Sequence, residues 1–126
     1  DRAHLPPNTH VYDFLPAHKL AGLVDASVIH GGEGTVQTAC ASGAPFAGIG
    51  LQAEQRFNID ECVRHGNARR FTPRDIKRHR LPGIVTTLLT NTAMHHAAVD
   101  LQDKARAVGA ENAAREIVNY VSPNMP

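Results

Sequence analysis

The chain has 126 residues, of which 42% are hydrophobic, and this share excludes a disordered tail and predicts one globular domain. Lysine and arginine number 13 against 12 aspartates and glutamates, so the net charge of +1 provides no field that would attract nucleic acid or a membrane surface. No apolar run approaches the ~20 residues that span a bilayer, and no charged-then-apolar leader indicates secretion, so we expect a cytoplasmic location.

The N-terminal region begins with a proline-rich stretch at residues 4–8, which predicts an extended lead-in. Residues 11–14 alternate apolar and polar side chains, and this pattern predicts a short strand. A short helix is predicted after Pro16. Residues 26–30 predict a second strand, whose apolar run indicates burial on both faces.

The middle of the chain alternates predicted helices and strands. A glycine-rich turn opens a helix that ends at Gly43, with its buried side at Val36, Ala39 and Cys40. Residues 46–49 predict a third strand. The next helix runs from about residue 53 to residue 65 and ends before Gly66, with an inner face predicted at Phe57, Cys62 and Val63.

The C-terminal region reads as helices after one last short strand at residues 68–71. Thr72 and Pro73 mark a helix start, since a hydroxyl precedes a proline at the first helical position. Pro82 starts another helix, Asn91 and Thr92 interrupt it, and a further helix ends at Gly109. The last helix has an apolar face made of Ala110, Ala113, Ala114, Ile117, Val118 and Val121.

Strands that alternate with helices predict an α/β fold, with a parallel sheet covered by helices on both faces and a helical C-terminal segment. Three or four strands form a small sheet, and one of its edges would be apolar and unpaired. We therefore expect this chain to belong to a larger body. The first residue, Asp1 rather than Met, supports the same expectation.

The spacing of the cysteines and histidines indicates neither a disulfide framework nor a metal site. Cys40 and Cys62 cannot make a disulfide framework, and we expect two reduced thiols. The eight histidines are scattered and no HExxH pattern occurs, so we expect no metal site.

The segment from Val28 to Gly34 is the most informative one. A strand ends in His30, a glycine-rich turn follows, and a helix begins. Ligands of open parallel sheets bind beyond the carboxyl ends of the strands, and free amides at a helix N-terminus attract phosphate. Thr35 adds a hydroxyl and His30 a ring N–H. The spacing fits neither GxGxxG nor GxxxxGK[ST], and a tight turn without any ligand remains the alternative.

Several motifs together resemble a known family: HGGEGT at residues 30–35, GAPF at residues 43–46, the pair Glu54 and Gln55, and then Asn58 and Gly66. This combination is similar to the C-terminal, donor-binding half of GT-B-fold nucleotide-sugar glycosyltransferases, including UDP-glucuronosyltransferases and macrolide glycosyltransferases. The resemblance extends over residues 8–121 and implies a Rossmann-like, incomplete GT-B C-terminal domain.

The resemblance also implies a site for a UDP- or TDP-sugar as substrate, with no cofactor and no metal. His30 would contact the diphosphate, and Gly32, Gly34 and Thr35 would hold the phosphates. Glu54 and Gln55 would bind sugar hydroxyls, although the pair could simply start a helix. Phe14 would lie against the base, although a phenylalanine is more often part of the core.

The implied reaction moves the sugar, with inversion, to a small-molecule acceptor. Residues 1–126 would form a partial donor-binding domain, so no catalytic residue is assigned to this chain and the general base is expected on an acceptor-binding domain. That domain would come from an N-terminal half or a second polypeptide, and this chain alone would be inactive. The alternative is a non-catalytic glycosyltransferase-like subunit that completes or regulates a partner chain.

Three residues depart from the family pattern at positions where the resemblance implies contacts with the nucleotide. Thr38 stands where many relatives have a glutamate for the ribose, and Ala17 replaces a glutamine beside the base. Glu33 introduces a carboxylate into the phosphate turn, so it must face water to avoid repelling the ligand.

Overall fold

The computed structural model describes residues 4–107 and 109–121. Within them a short 3-10 helix, Ala17–Leu20, precedes three strands and six helices. In chain order these are β1 (Ser27–Ile29), α1 (Glu33–Ser42), β2 (Phe46–Gly48), α2 (Ala53–His65), β3 (Ala68–Arg70), α3 (Pro73–Lys77), α4 (Leu81–Thr90), α5 (Thr92–Ala107) and α6 (Ala110–Val121).

The three strands form a parallel sheet in the order β1-β2-β3. Ser27 is in register with Phe46, and Phe46 with Ala68. Pairing continues past the strand ends, since the Gly50 N–H donates to the His30 carbonyl at 3.3 Å. The carboxyl ends of all three strands therefore lie at the same end of the sheet. The predicted parallel α/β arrangement is confirmed.

The sheet is packed on both faces, as predicted. Adjacent residues of a strand point to opposite faces, and the neighbours Phe46 and Ala47 of β2 belong to two different clusters. The first cluster joins α1 and α2 to the sheet through Val36, Ala39, Phe46, Ile59, Cys62 and Ala68. The second joins α4 and the start of α5 to the other face through Ala47, Phe71, Leu88 and Met94.

The strand predicted at residues 11–14 is wrong. The segment has no strand geometry, and Val11, Tyr12 and Phe14 are exposed. A strand requires a neighbour for its backbone groups, and within residues 4–107 and 109–121 the sheet contains only β1, β2 and β3. Alternation of side chains alone does not provide that neighbour. The helix predicted after Pro16 is present as the 3-10 helix.

Burial of β1 on both faces is also wrong. Among the described residues β1 is an edge strand, and Val28 is 49% exposed. The predicted apolar, unpaired sheet edge is therefore present.

The inner face of α2 differs from the prediction, although its bounds agree. Phe57 and Val63 are exposed, whereas Ile59 and Cys62 are buried. Phe57 lies two positions before Ile59, which places it about 200° around the helix, on the opposite side from the sheet.

The junctions between the C-terminal helices follow the predicted signals. Asn91 ends α4, and its side-chain oxygen accepts the Met94 N–H at 3.1 Å, which caps the start of α5. Thr72 and Asp75 form the capping box of α3, and the hydrogen bond from the Thr72 hydroxyl holds the pKa of Asp75 below its ordinary value. The predicted apolar face of α6 is exposed at Ile117, Val118 and Val121.

None of the helices formed by the described residues combines the length and the apolar character that crossing a membrane requires.

Candidate functional site

The start of α1 carries backbone amides with no acceptor in the helix. Gly32 is the residue before the helix, and the Val36 N–H makes the first intrahelical bond, to the Gly32 carbonyl at 2.9 Å. No side chain among the described residues caps this end. The N–H groups of residues 33–35 therefore point out of the helix at its positive end, where they can bind an anion.

His30 lies against this helix start. A Cβ atom built on Gly32 would be 2.7 Å from the His30 Nε2 atom, so the imidazole occupies the space that any side chain at this position would take. His30 is exposed, and nothing lies within 4 Å of the corresponding position on Gly34. The structure thus places His30, Gly32, Gly34 and the half-buried Thr35 together at the start of α1.

Glu33 does not place its carboxylate in front of these amides. It accepts a hydrogen bond from the Gln37 side chain at 3.2 Å, one turn further along α1, and it is exposed. A carboxylate in the first turn of a helix is also favoured by the helix dipole. The expectation that Glu33 faces water agrees with this position.

The turn before α1 is held tightly by α2. Gly31 has a φ of +92°, and a Cβ atom there would be 2.5 Å from the Ile59 Cδ1 atom and 3.0 Å from the Gln55 carbonyl oxygen. Only glycine combines this backbone conformation with so close an approach. The glycine turn that leads into α1 therefore packs directly on the buried Ile59 side chain.

Glu54 and Gln55 lie at the start of α2 in different roles. The Gln55 side-chain oxygen accepts the N–H groups of Leu51 and Gln52 at 3.0 and 3.2 Å, which caps the helix. This bonding favours the helix-start alternative for Gln55, and the NH₂ group of its amide takes no part in the cap. The Glu54 carboxylate instead accepts from Asn58 at 2.9 Å.

Asn58 is a residue whose role sequence reasoning missed. Its amide nitrogen donates to the Gly31 carbonyl at 3.2 Å as well as to Glu54, so it joins α2 to the glycine turn. The i, i+4 spacing of Glu54 and Asn58 was the available signal, because such residues are neighbours on a helix face. Asn58 connects Glu54 to the site.

A largely apolar cleft of about 370 Å³ adjoins the start of α1. Gly34, Thr35 and Thr38 of α1 form one side, and Ala17 of the 3-10 helix lies across from them. The Thr38 hydroxyl donates to the Gly34 carbonyl at 2.8 Å. The Ser27 hydroxyl in this lining is buried without a partner among the described residues.

Phe14 exposes 83% of its surface in the segment before the 3-10 helix, so the alternative that it belongs to the core is wrong.

Across residues 4–107 and 109–121, no three His, Cys, Asp or Glu side chains come together in an arrangement that could hold a metal ion.

Comparisons with known proteins match this architecture. A family model described as "Erythromycin biosynthesis protein CIII-like, C-terminal domain" matches residues 1–122. The PGL/p-HBAD biosynthesis rhamnosyltransferase of Mycobacterium bovis (strain BCG / Pasteur 1173P2) is 28% identical over 103 residues, which cover 82% of this chain and 23% of that protein.

Two solved structures show the same likeness. The glycotransferase of kitacinnamycin has a TM-score of 0.81 and 30% identity, over 93% of this chain and 31% of that one. Glycosyltransferase VinC, solved in complex with dTDP, has a TM-score of 0.82 and 24% identity, over 96% of this chain and 31% of that one. The predicted fold class is confirmed, and the chain spans less than a third of the length of these proteins.

Proposed function

The chain belongs to the erythromycin biosynthesis protein CIII-like C-terminal domain family of glycosyltransferases, with the GT-B fold, and we propose that it binds the nucleoside-diphosphate sugar donor of a sugar transfer. The single observation that carries this proposal is the uncapped start of α1 beside His30. Those amides lie at the carboxyl end of a parallel strand, where ligands of such sheets bind.

The same arrangement suits the chemistry of the transfer. When the bond between the sugar and the nucleoside diphosphate breaks, negative charge grows on the leaving phosphate oxygen. The amides of residues 33–35, the His30 ring and the Thr35 hydroxyl would donate to that diphosphate. Gly34 leaves its approach open, and Gly32 leaves room for the His30 ring. Donors fixed before the reaction stabilise such charge without reorganising.

The sugar and the base would extend from the diphosphate in two directions. Glu54, which accepts from Asn58, and the NH₂ group of Gln55, whose oxygen caps α2, are the groups proposed for sugar hydroxyls. Phe14 and the cleft beside Ala17 are proposed for the base of a UDP- or TDP-sugar. The complex of VinC with dTDP supports a diphosphate of this kind.

The remainder of the reaction is proposed to depend on another domain. Residues 1–126 would form a partial donor-binding domain, and a small-molecule acceptor would attack with inversion through a base on an acceptor-binding domain. An N-terminal half or a second polypeptide would supply that domain, and this chain alone would be inactive. The support is that the chain spans 23% of the matched rhamnosyltransferase and 31% of the matched structures.

A second candidate is a non-catalytic glycosyltransferase-like subunit that completes or regulates a partner. The observations that favour it are the half-exposed Val28 on the edge strand and the exposed apolar residues of α6. It predicts a stable complex with another polypeptide and no sugar transfer. Sugar transfer by the chain together with its partner would reject it.

Thermal unfolding with nucleotides tests the donor site. A nucleoside diphosphate at about ten times its Kd stabilises the fold by about 1.4 kcal/mol, which raises Tm by about 5 °C in a chain of this size. We expect UDP or TDP to produce this rise, and UMP and TMP, which lack the second phosphate, to produce a much smaller one at the same ionic strength. Equal rises with monophosphates, or no rise with either diphosphate, would contradict the proposal.

A further inference from the structure

The two cysteines of the chain meet in its core, although 21 residues separate them in the sequence. The Sγ atoms of Cys40 on α1 and Cys62 on α2 lie 3.7 Å apart and share a hydrogen bond. Cys62 is buried, and Cys40 is partly exposed at the margin of the same cluster. The donor-binding proposal makes no use of this pair.

A buried amide completes the cluster. Asn67 is fully buried, and its side-chain nitrogen lies 3.9 Å from the Cys40 Sγ atom as a donor, whereas its oxygen has no partner among the described residues. The hydrogen bond from Cys62, aided by Asn67, lowers the pKa of the Cys40 thiol to about 7. The same bond, together with burial, raises the pKa of Cys62. Cys40 is also the more exposed of the two thiols, so it is the member that a peroxide in solution can reach.

We propose that Cys40 and Cys62 form a redox-active pair, which closes an intramolecular disulfide between α1 and α2 when the chain meets a peroxide. A disulfide bond measures about 2.05 Å, so the two sulfurs must approach by roughly 1.7 Å from their 3.7 Å separation. Both residues lie near the C-terminal ends of their helices. Side-chain rotation and a small shift of one helix provide that approach.

The chemistry balances with hydrogen peroxide as the oxidant. The Cys40 thiolate attacks one peroxide oxygen, an S–O bond forms as the O–O bond breaks, and the released hydroxide takes up a proton to become water. The Cys62 sulfur then attacks the Cys40 sulfur, so that the S–S bond forms, the S–O bond breaks and a second water leaves with the Cys62 proton. Two thiols lose two electrons, and one peroxide becomes two waters.

The crosslink would stabilise the fold, because it closes the loop from Cys40 to Cys62 in the unfolded chain. Loops of this length predict a rise in Tm on the order of 10 °C, provided that the native geometry accepts the bond without strain. The proposal concerns the core between α1 and α2, and it stands whether or not a nucleotide binds at the start of α1.

Peroxide treatment of the full 126-residue chain tests this proposal, with intact-mass and alkylation measurements as readouts. We expect the monomer to lose the mass of two hydrogen atoms, both thiols to resist iodoacetamide in denaturant, and a reductant to reverse both effects. Tm should rise in the oxidised chain. Because the chain has two cysteines, an intramolecular disulfide can join only this pair.

Two controls separate proximity in the fold from general thiol oxidation. Cys62→Ala removes the hydrogen bond to Cys40, so the Cys40 sulfenic acid should form more slowly. Dimedone should still trap it, and no intramolecular disulfide should form. In urea-unfolded chain the disulfide should form at least tenfold more slowly than in the folded chain. Thiols that remain open to alkylation after peroxide, crosslinks found only between chains, or equal rates in the folded and unfolded chain would overturn the proposal.

Discussion

Replacement of Gly31 by alanine is expected to lower the free energy of unfolding by about 3 kcal/mol and to abolish nucleotide binding with it. An alanine at the φ of +92° is strained by roughly 1–2 kcal/mol. Its Cβ atom would also lie 2.5 Å from Ile59 Cδ1, and overpacking of a core typically costs about 1–3 kcal/mol. Urea denaturation measures the loss.

Two further variants separate these two causes. Gly22 also has a positive φ, +77°, but nothing lies within 4 Å of its Cβ position, so Gly22→Ala should show the strain alone. Ile59→Val removes the Cδ1 atom that clashes, so it should restore part of the loss when combined with Gly31→Ala. Two results would contradict this account of the turn. One is that Gly31→Ala lowers the free energy of unfolding no more than Gly22→Ala does. The other is that the effects of Gly31→Ala and Ile59→Val simply add in the double variant.

Replacement of His30 by alanine is expected to remove most of the Tm rise that a nucleoside diphosphate produces. A hydrogen bond to a charged group contributes about 1.5–3 kcal/mol, so its loss should weaken binding by about tenfold to more than a hundredfold. Because His30 is exposed and lies outside the core clusters, the variant should unfold near the Tm of the unmodified chain without nucleotide.

Two variants accompany this prediction, one in the same glycine turn and one on a distant surface. Gly32→Ala should also weaken binding, because its methyl group would displace the His30 ring from a distance of 2.7 Å while the extended backbone there accepts alanine. His96→Ala changes an exposed histidine of α5 and should leave the rise unchanged. A His30→Ala chain that responds to UDP or TDP as His96→Ala does would show that the ring is not part of the site.

Glycines explain why much of the fold could be predicted from the sequence. Gly43 and Gly66 end α1 and α2 in the left-handed conformation, which few other residues adopt. Both helix ends could therefore be predicted from the positions of these glycines in the sequence. Thr72 and Asn91 marked later boundaries through capping, which is equally local. Parallel order followed from the alternation of strands and helices.

Features that depend on distant parts of the chain were harder to predict. Phe57 looked like the natural inner residue of α2, but the space beneath the helix was set by Gly31 and Gly48, whose missing side chains accommodate Ile59. Residues 11–14 showed the alternation of a strand, yet pairing requires a second segment that local pattern does not reveal.

The candidate site also has a part that could be predicted from the sequence and a part that could not. The start of α1 could be predicted because His30, Gly32, Gly34 and Thr35 are adjacent in sequence. The bond from Asn58 to the Gly31 carbonyl spans 27 positions, and the approach of Cys40 to Cys62 spans 22. Contacts of this length are set by how α1 and α2 pack on the sheet, which the residue pattern alone does not specify.

The most direct test of the donor site is an NMR titration of the ¹⁵N-labelled chain with UDP and TDP. The amide signals of Glu33, Gly34 and Thr35 should move most, together with the His30 ring, and UMP at equal ionic strength should move them far less. Amide shifts confined to other helices, or signals at the start of α1 that stay unchanged at saturating nucleotide, would contradict diphosphate binding there.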